Sequence, residues 1–216
     1  MNDGHSFPFC NLSLVALPQG ALWWPDRSVL TVSDLHLGKS DRIARRSGLM
    51  LPPYETRATL DKLDALLDAL RPRTVICLGD SFDDLAAAES LDEIETLQLK
   101  RQQAGRDWIW IEGNHDPGPV DLGGRHLNEW KSGPVTFRHI AAINATGEIS
   151  GHYHPKLRVK VRGRHIARPC AVISSQESGA GNRMILPAFG ALTGGMDAGD
   201  PAILNALQPA SQIEAV

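Results

Sequence analysis

The 216-residue chain contains little cysteine, few aromatic residues and no long apolar run. Its three cysteines, Cys10, Cys77 and Cys170, are far apart and form no Cys-x-x-Cys pair, which argues against a disulfide framework and a thiolate zinc site. No apolar segment approaches the roughly 18 residues of a membrane-spanning helix, and the first residues do not read as a signal peptide. We therefore expect reduced thiols, no membrane partner and a cytoplasmic location.

An excess of positive charge is also absent, because 22 Lys and Arg residues face 25 Asp and Glu residues, giving a net charge of −3. Such a balance gives no global reason to bind nucleic acid or an anionic membrane, so a polyanion would need a local basic patch. The hydrophobic content of 42% is that of an ordinary globular protein and excludes a disordered or collagen-like chain. The length indicates one domain that can bury a sizeable core.

The first half of the chain alternates short apolar runs with helical patterns. Strands are predicted at residues 28–33, 74–78 and 108–111, all rich in β-branched or aromatic residues. One helix is predicted after Pro52-Pro53, ending before Pro72, and a second over about 84–104. This β-α-β-α-β order predicts parallel strands.

The second half changes character, with short β-like segments punctuated by glycine. These segments favour antiparallel strands, so we expect an α/β fold with two mixed sheets packed face to face and helices outside. The whole chain, 1–216, is predicted to be a single domain. Its core covers about 12–190, and residues 191–216 form a surface-wrapping C-terminal tail. The short strands are predicted at 135–138, 148–150, 157–161, 171–174 and 184–186.

Side chains of metal-ligand type follow several of the predicted strands. Because ligand sites of open α/β sheets lie at the carboxyl ends of strands, we expect these loops to converge. Their mixture of carboxylate, imidazole and amide oxygen suits two borderline divalent ions. Each fragment alone is weak, since a lone Gly-Asp is usually a turn, but the ordered set favours function. The set is Asp34, His36, Asp80, Asn114, His115, His139, His152 and His154.

The order of these motifs resembles the calcineurin-like metallophosphoesterases over about residues 29–190. The finer sequence is similar to one bacterial branch, the ligase-associated DNA damage response endonucleases. The stretches that carry this second likeness are 34–39, 51–56, 78–84, 151–155 and 187–195.

The resemblance implies a four-layer αββα sandwich, the metallo-dependent phosphatase fold, with two divalent ions per chain. Manganese is the expected ion, and iron or zinc remain alternatives. One ion would take Asp34, His36, Asp80 and His154. The second would take Asp80, Asn114, His139 and His152, with Asp80 bridging.

Two further residues receive catalytic roles from the resemblance. His115 would donate a proton to the leaving alkoxide or stabilise its charge. Asp83 would orient His115 and favour its charged form, and a helix N-cap is the alternative role for Asp83.

Basic residues follow the first and last metal loops. Lys39, Arg42 and Arg46 come after the first, and Lys156 and Arg158 begin a run of cations at every second position that continues to Arg164. On one strand these would share a face and could follow a phosphate backbone. An ordinary solvated face is the alternative.

The leading functional hypothesis is a manganese-dependent endonuclease that cuts DNA, preferably single strands, during repair. The resemblance also implies a functional association with an ATP-dependent DNA ligase, a helicase and an exonuclease. A small-molecule phosphodiesterase or phosphatase, acting on nucleotides or lipid precursors, is the second hypothesis. A non-catalytic scaffold of the same fold is the third, and the sequence leaves a dimer open.

Overall fold

The computed structural model describes residues 4–175 and 181–216, which form two large sheets, one separate hairpin and five helices. The first sheet has the order β1 to β7: His5–Phe9, Leu12–Leu17, Ala21–Trp24, Val29–Val32, Thr74–Leu78, Asp107–Ile111 and Arg125–Leu127. The remaining strands are β8 Glu129–Ser132, β9 Val135–Arg138, β10 Glu148–Ser150, β11 Lys156–Val161, β12 Arg164–Pro169, β13 Val172–Ser175, β14 Arg183–Ile185 and β15 Gln212–Ala215. The helices are α1 Lys39–Ser47, α2 Glu55–Leu70, α3 Leu85–Glu89, α4 Glu93–Gln103 and α5 Pro201–Ala206.

The centre of the first sheet follows the sequence prediction, because β4, β5 and β6 are parallel neighbours. The antiparallel meander β1–β2–β3 was not predicted. Strand β1 contains Pro8, which cannot donate to a ladder and so weakens the strand pattern, yet an edge strand tolerates it. Phe7 and Phe9 of this strand are buried in the core.

The single helix predicted over about 84–104 is wrong, because the structure breaks it into α3 and α4. Asp84 caps α3 by accepting from Ala87 N, and Asp92 begins α4 in a capping box with Glu95. Two N-caps within eight residues make two helices more favourable than one, since each cap satisfies otherwise unpaired backbone donors.

The second sheet has the order β15-β13-β14-β10-β9-β8. The antiparallel expectation holds for β8–β9 and β13–β14 but is wrong for β10, which is parallel to both β9 and β14. The segment 157–161 lies outside this sheet altogether and pairs only with β12. Pairing order depends on contacts far apart in the chain, which local patterns do not report.

Three apolar clusters define four layers. The first lies between the sheets and joins Ile76 and Ile109 to Phe137 and Met184. The second joins the outer face of the first sheet to α2 and α4, and the third joins the outer face of the second sheet to α5. This is the predicted α/β architecture of two mixed sheets with helices outside. Strand β15 lies at the edge of the second sheet, so residues 191–216 contribute both a helix and a strand.

All three cysteines are buried and free, as expected from their spacing. No helix within residues 4–175 and 181–216 is long and apolar enough to cross a membrane.

Candidate metal centre

The polar loops converge at one edge of the two sheets, where β4, β5, β6, β9 and β10 end. Backbone hydrogen bonds join the loops directly. Asp34 N donates to Gly79 O at 3.2 Å and His36 N donates to Asp80 O at 3.0 Å. Gly151 N donates to His139 O at 2.9 Å, which joins the two loops of the second sheet. His152 N also donates to Asp34 Oδ2 at 3.0 Å, and His115 N donates to Asp80 Oδ1 at 2.9 Å, so the loops that carry all seven predicted metal ligands are connected.

The backbone of this region is held in an unusual conformation. Left-handed φ angles are uncommon outside glycine and cost of order 1–3 kcal/mol each, so they persist where the surroundings impose them. Five of the seven predicted ligands adopt them: Asp34 (53°), His36 (47°), Asp80 (45°), His152 (72°) and His154 (49°).

Gly79 allows the second sheet to approach the first at this point. Its φ is +76°, and a Cβ built on it would lie 2.3 Å from the ring of His139. Glycine is therefore required here both by conformation and by space.

The first group of ligand-type atoms comprises Asp34, His36 and His154. His36 Nε2 lies 3.4 Å from His154 Nε2, and His154 Nε2 lies 3.1 Å from Asp34 Oδ1. Asp34 Oδ1 is buried and accepts no hydrogen bond from the part of the chain that the structure describes, although Oδ2 is held by Ser33 and by His152 N. Two ligands of one ion, each about 2.1 Å from it, lie about 3.0–3.4 Å apart, which these separations match.

The second group comprises Asp80, His139 and His152, with Asn114 beside them. His139 Nδ1 lies 3.2 Å from Leu78 O, and a carbonyl can only accept, so Nδ1 carries the proton and Nε2 is free. Around Nε2 lie Asn114 Oδ1 at 3.0 Å, His152 Nδ1 at 3.3 Å and Asp80 Oδ2 at 3.4 Å.

The second group therefore brings more lone pairs than protons together, and in the first group several ligand-type atoms surround the buried Asp34 carboxylate. A buried set of converging acceptors is unfavourable unless a cation lies among them. Imidazole nitrogens and carboxylate or amide oxygens are donors that borderline divalent ions accept. The residues present thus fit divalent cations.

The charges of the site change its acid–base properties. Burial alone would raise the pKa of Asp80, but the contact with His139 and the backbone N–H of His115 lower it to about 2. Burial alone would lower the pKa of His139, but the contact with Asp80 and the charges of Asp34 and Asp80 outweigh burial and raise it above its usual value. The neighbouring carboxylates thus favour the protonated form of His139.

Residues 27–167 match the calcineurin-like phosphoesterase family. The chain belongs to this family. It is also similar to the crystal structure of the nuclease MPE of Pseudomonas putida, with 28% identity, 93% of each chain covered and a TM-score of 0.72. No curated protein sequence matches the chain at a significant level. The protein is therefore a metal-dependent phosphoesterase, as the motifs predicted.

His115 lies beside the phosphoesterase's second ligand group. Its backbone N donates to Asp80 Oδ1 at 2.9 Å, and its Nε2 lies 4.0 Å from Asp80 Oδ2. Its Nδ1 lies 2.8 Å from the backbone oxygen of Asp83, which can only accept, so Nδ1 carries a proton and Nε2 faces the ligand groups.

The carboxylate of Asp83 does not contact His115, which corrects the sequence expectation. Its Oδ1 lies 2.8 Å from His36 Nδ1, and Arg42 Nη1 and Lys39 Nζ lie 2.7 and 3.6 Å from the carboxylate. The two α1 cations draw the carboxylate towards His36, while its backbone oxygen orients His115. The helix N-cap is the neighbouring Asp84, so the alternative role is not observed for Asp83 either.

Asp116 fixes two ligand loops to each other. Its carboxylate accepts from Ser81 N at 2.8 Å, Phe82 N at 3.1 Å and Gly113 N at 3.1 Å. Burial, together with the charge of Asp80, raises the pKa of Asp116 to about 6. The sequence offered only the proximity of Asp116 to Asn114 as a signal for this role.

The predicted substrate-binding cations are in different situations. Lys39 and Arg42 form the ion pairs with Asp83 described above, whereas Arg46 is exposed in the last turn of α1. Lys156 Nζ donates to Thr193 O at 3.2 Å, and Arg158 Nη2 donates to Gly195 O at 3.4 Å. The expectation that the cations from 156 to 164 share one strand face is wrong, because the chain turns back at Arg162-Gly163.

Proposed function

We propose that this phosphoesterase is a binuclear phosphodiesterase that cuts DNA internally, preferably in single strands, with manganese as its working ion. The observation that carries the proposal is the pair of adjacent ligand groups with His115 beside them. The similarity to a nuclease supports a nucleic acid substrate.

The proposed ligands divide into two sets that share Asp80. The first set is Asp34, His36, Asp80 and His154, and the second is Asp80, Asn114, His139 and His152. The bound ions would neutralise phosphoryl oxygens and lower the pKa of a bound water, which removes the main obstacle to attack on an anionic diester. Asp34 and Asp80 are buried carboxylates and supply the negative charge that holds the ions.

His115 is proposed as the group that supplies a proton to the leaving oxygen. The Asp83 backbone oxygen fixes the ring with Nδ1 as donor, which leaves Nε2 available to carry the transferred proton. The exposed fraction of the side chain is 28%, so solvent can return a proton after each turnover.

The biological setting proposed is DNA repair in the cytoplasm, in functional association with an ATP-dependent DNA ligase, a helicase and an exonuclease. This setting rests on the likeness to the ligase-associated branch. Hydrolysis of small phosphodiesters is the second candidate, and the observation that favours it is the commitment of Lys39 and Arg42, the cations nearest the ligands, to Asp83.

The test is incubation of the protein with manganese and closed circular single-stranded DNA. A circle has no ends, so its conversion to a linear form requires an internal cut. We expect the unaltered protein to linearise the circle and both a chelator and His115→Ala to prevent this. An intact circle, with an aryl phosphodiester still hydrolysed, would move the substrate to small molecules.

A further inference from the structure

The β11–β12 hairpin, residues Lys156–Pro169, is a projecting arm that we call the basic hairpin. Its strands pair with each other and belong to neither large sheet, and at its root Lys156 also bridges to Asp197. Apart from Lys156 and Ile166, every residue of the hairpin is exposed. Arg162 and Gly163 form its turn with φ angles of 49° and 78°, the left-handed pair typical of a tight two-residue turn. An isolated two-stranded hairpin is only marginally stable in water, so contact with a binding partner would stabilise this arm.

The charge of the basic hairpin is of one sign. It carries six Lys and Arg side chains, and no acidic residue occurs between 149 and 175. The side chains of Lys160, Arg162 and Arg164, at the tip, have no hydrogen-bond or ion-pair partner among the residues that the structure describes. The cations nearest the metal ligands, Lys39 and Arg42, are already paired with Asp83, whereas these three side chains are available to an external anion.

The register places the cations at regular intervals. Lys156, Arg158 and Lys160 alternate along β11 and therefore share a face, at a spacing of about 6.6 Å. The strand reaches about 17 Å from Lys156 to Val161. Lys156 and Arg158 on this face already donate to backbone oxygens of residues 193 and 195, which leaves Lys160 available. Arg164 pairs with Val161 and lies on the other face, and Arg162 lies in the turn, so the available cations gather around the tip, where neighbouring phosphates of one strand can contact them.

The arm is fixed relative to the metal centre. Its first residue follows His154 after a single proline. Lys156 N donates to Met196 O at 2.8 Å, and at the other end of the same segment Gly190 N donates to Asp34 O at 3.2 Å. The segment 190–196 therefore connects the root of the arm to a ligand loop, so a strand held on the arm has a defined path to the ligands.

Two alternative roles for the cations of the basic hairpin fit its structure less well. Edge strands often carry Lys and Arg to prevent aggregation, but that role needs no cation in the turn. An anionic membrane would also attract the arm. The fixed connection to the metal centre favours a polyanion that extends into that centre.

We propose that the basic hairpin holds the phosphate backbone of a nucleic acid strand outside the metal centre, with Lys160, Arg162 and Arg164 as its principal contacts. The inference rests on the proposed function, because the held strand is the one to be cut. It assigns affinity for long substrates to the arm and hydrolysis to the metal ligands.

The test compares two triple variants of the manganese-loaded protein. The tip variant is Lys160→Gln/Arg162→Gln/Arg164→Gln. The control, Arg71→Gln/Lys100→Gln/Arg101→Gln, removes the same charge from exposed positions at the opposite edge of the first sheet. The probe is a labelled oligothymidylate with phosphorothioate linkages, which resist cutting, and binding is followed by fluorescence anisotropy over a range of salt concentrations.

We expect the tip variant to bind about tenfold more weakly or worse, and the slope of log affinity against log salt to fall by about 2, since each lost contact removes about 0.7. The control should bind within twofold of the unaltered protein. Equal affinity and slope in the tip variant would overturn the inference, and so would an equal loss in the control. The inference would also be overturned, in favour of a membrane, if the tip variant lost binding to phosphatidylserine vesicles but still bound the oligonucleotide.

Folding and the proposed function are checked separately. The thermal unfolding temperature should be nearly unchanged, because substitutions of exposed side chains away from packed or paired groups rarely alter stability. If the triple variant does not fold, Lys160→Glu replaces it, with at least a threefold loss of affinity expected and no loss contradicting the inference. Hydrolysis of an aryl phosphodiester by the unaltered protein tests the metal centre alone. If the unaltered protein does not hydrolyse the aryl phosphodiester, the proposed function is refuted. If it does, and the tip variant still binds the oligonucleotide fully, only the role of the basic hairpin is refuted.

Discussion

The carboxylate of Asp83 contacts the ring of His36, with Oδ1 2.8 Å from Nδ1. A carboxylate on the outer nitrogen of a ligand histidine fixes which nitrogen is protonated and turns the other towards the ion. Asp83 is therefore a positioning residue for a proposed metal ligand. His115 takes its orientation from the backbone oxygen of the same residue, which no side-chain substitution removes.

Asp83→Ala is expected to weaken manganese binding by 10- to 100-fold, because His36 loses the group that orients it. The turnover number at saturating manganese should stay within a few-fold of normal, since alanine keeps the backbone oxygen that holds His115. Activity on an aryl phosphodiester, measured as a function of manganese concentration, separates the two effects. Asp41→Ala, which removes a partly exposed carboxylate of α1, is the control and should change neither. A turnover loss at saturating metal with unchanged metal affinity would restore the carboxylate's role towards His115.

His115→Ala is expected to lower the turnover number by about 10²- to 10⁴-fold, the usual contribution of a positioned general acid. Manganese content should be unchanged, because His115 belongs to neither proposed ligand set. Metal analysis after gel filtration and the turnover number together check both statements. His5→Ala is the control, because His5 is an exposed histidine at the start of β1, outside the loops that carry the proposed ligands. Loss of bound manganese in His115→Ala would make the residue a ligand instead.

The metal-free protein should lose stability as the pH rises through the raised pKa of His139. The folded-state pKa lies above the unfolded value of about 6.5, so the stabilisation is complete below that value and disappears above the folded pKa. The lowered pKa of Asp80 has the opposite effect on stability. The stabilisation that Asp80 contributes is present above about pH 4 and is lost as the pH falls towards 2. Urea unfolding of metal-free protein between about pH 6 and 8.5 measures the first effect.

Manganese binding should strengthen over the same pH range, because the ion displaces the proton from His139. Calorimetric titrations of the metal-free protein with manganese, in buffers of different ionisation enthalpy, should therefore show proton release at pH values below the folded-state pKa of His139. His139→Asn should remove most of this release. Affinity that is independent of pH would show that no proton occupies the ligand group.

Gly79→Ala is expected to abolish binding at the second ligand group, because a Cβ would lie 2.3 Å from the ring of His139. Gly105→Ala is a matched control, since Gly105 has nearly the same φ, +73° against +76°, and no atom within 4 Å of the added carbon. The control should lose only about 1–2 kcal/mol from backbone strain and keep its activity. Similar loss of metal in both variants would assign the effect to strain alone.

The sequence predicted the ligand loops because residue type and position after a strand are local properties. Asp34, Asp80 and His139 each follow an apolar run, and parallel strands bring their ends to one edge whatever the rest of the chain does. The family resemblance supplied the division into two sets. The fold class followed from the change between the two halves of the chain.

Other features depended on contacts that a linear pattern does not contain. The direction of the Asp83 carboxylate is decided by Arg42 and Lys39, which α1 brings to it across a loop. The turn at Arg162-Gly163 interrupts an alternating pattern that reads as one strand. Parallel pairing of β10 with β14 joins segments more than thirty residues apart.

The central claim is that this chain holds two divalent ions in adjacent groups that share Asp80. Anomalous X-ray scattering at the manganese absorption edge, from crystals grown with manganese, tests it most directly. We predict two peaks per chain, one among Asp34, His36 and His154 and one among Asn114, His139 and His152, with Asp80 beside both. A single peak at saturating manganese, or peaks away from these residues, would contradict it.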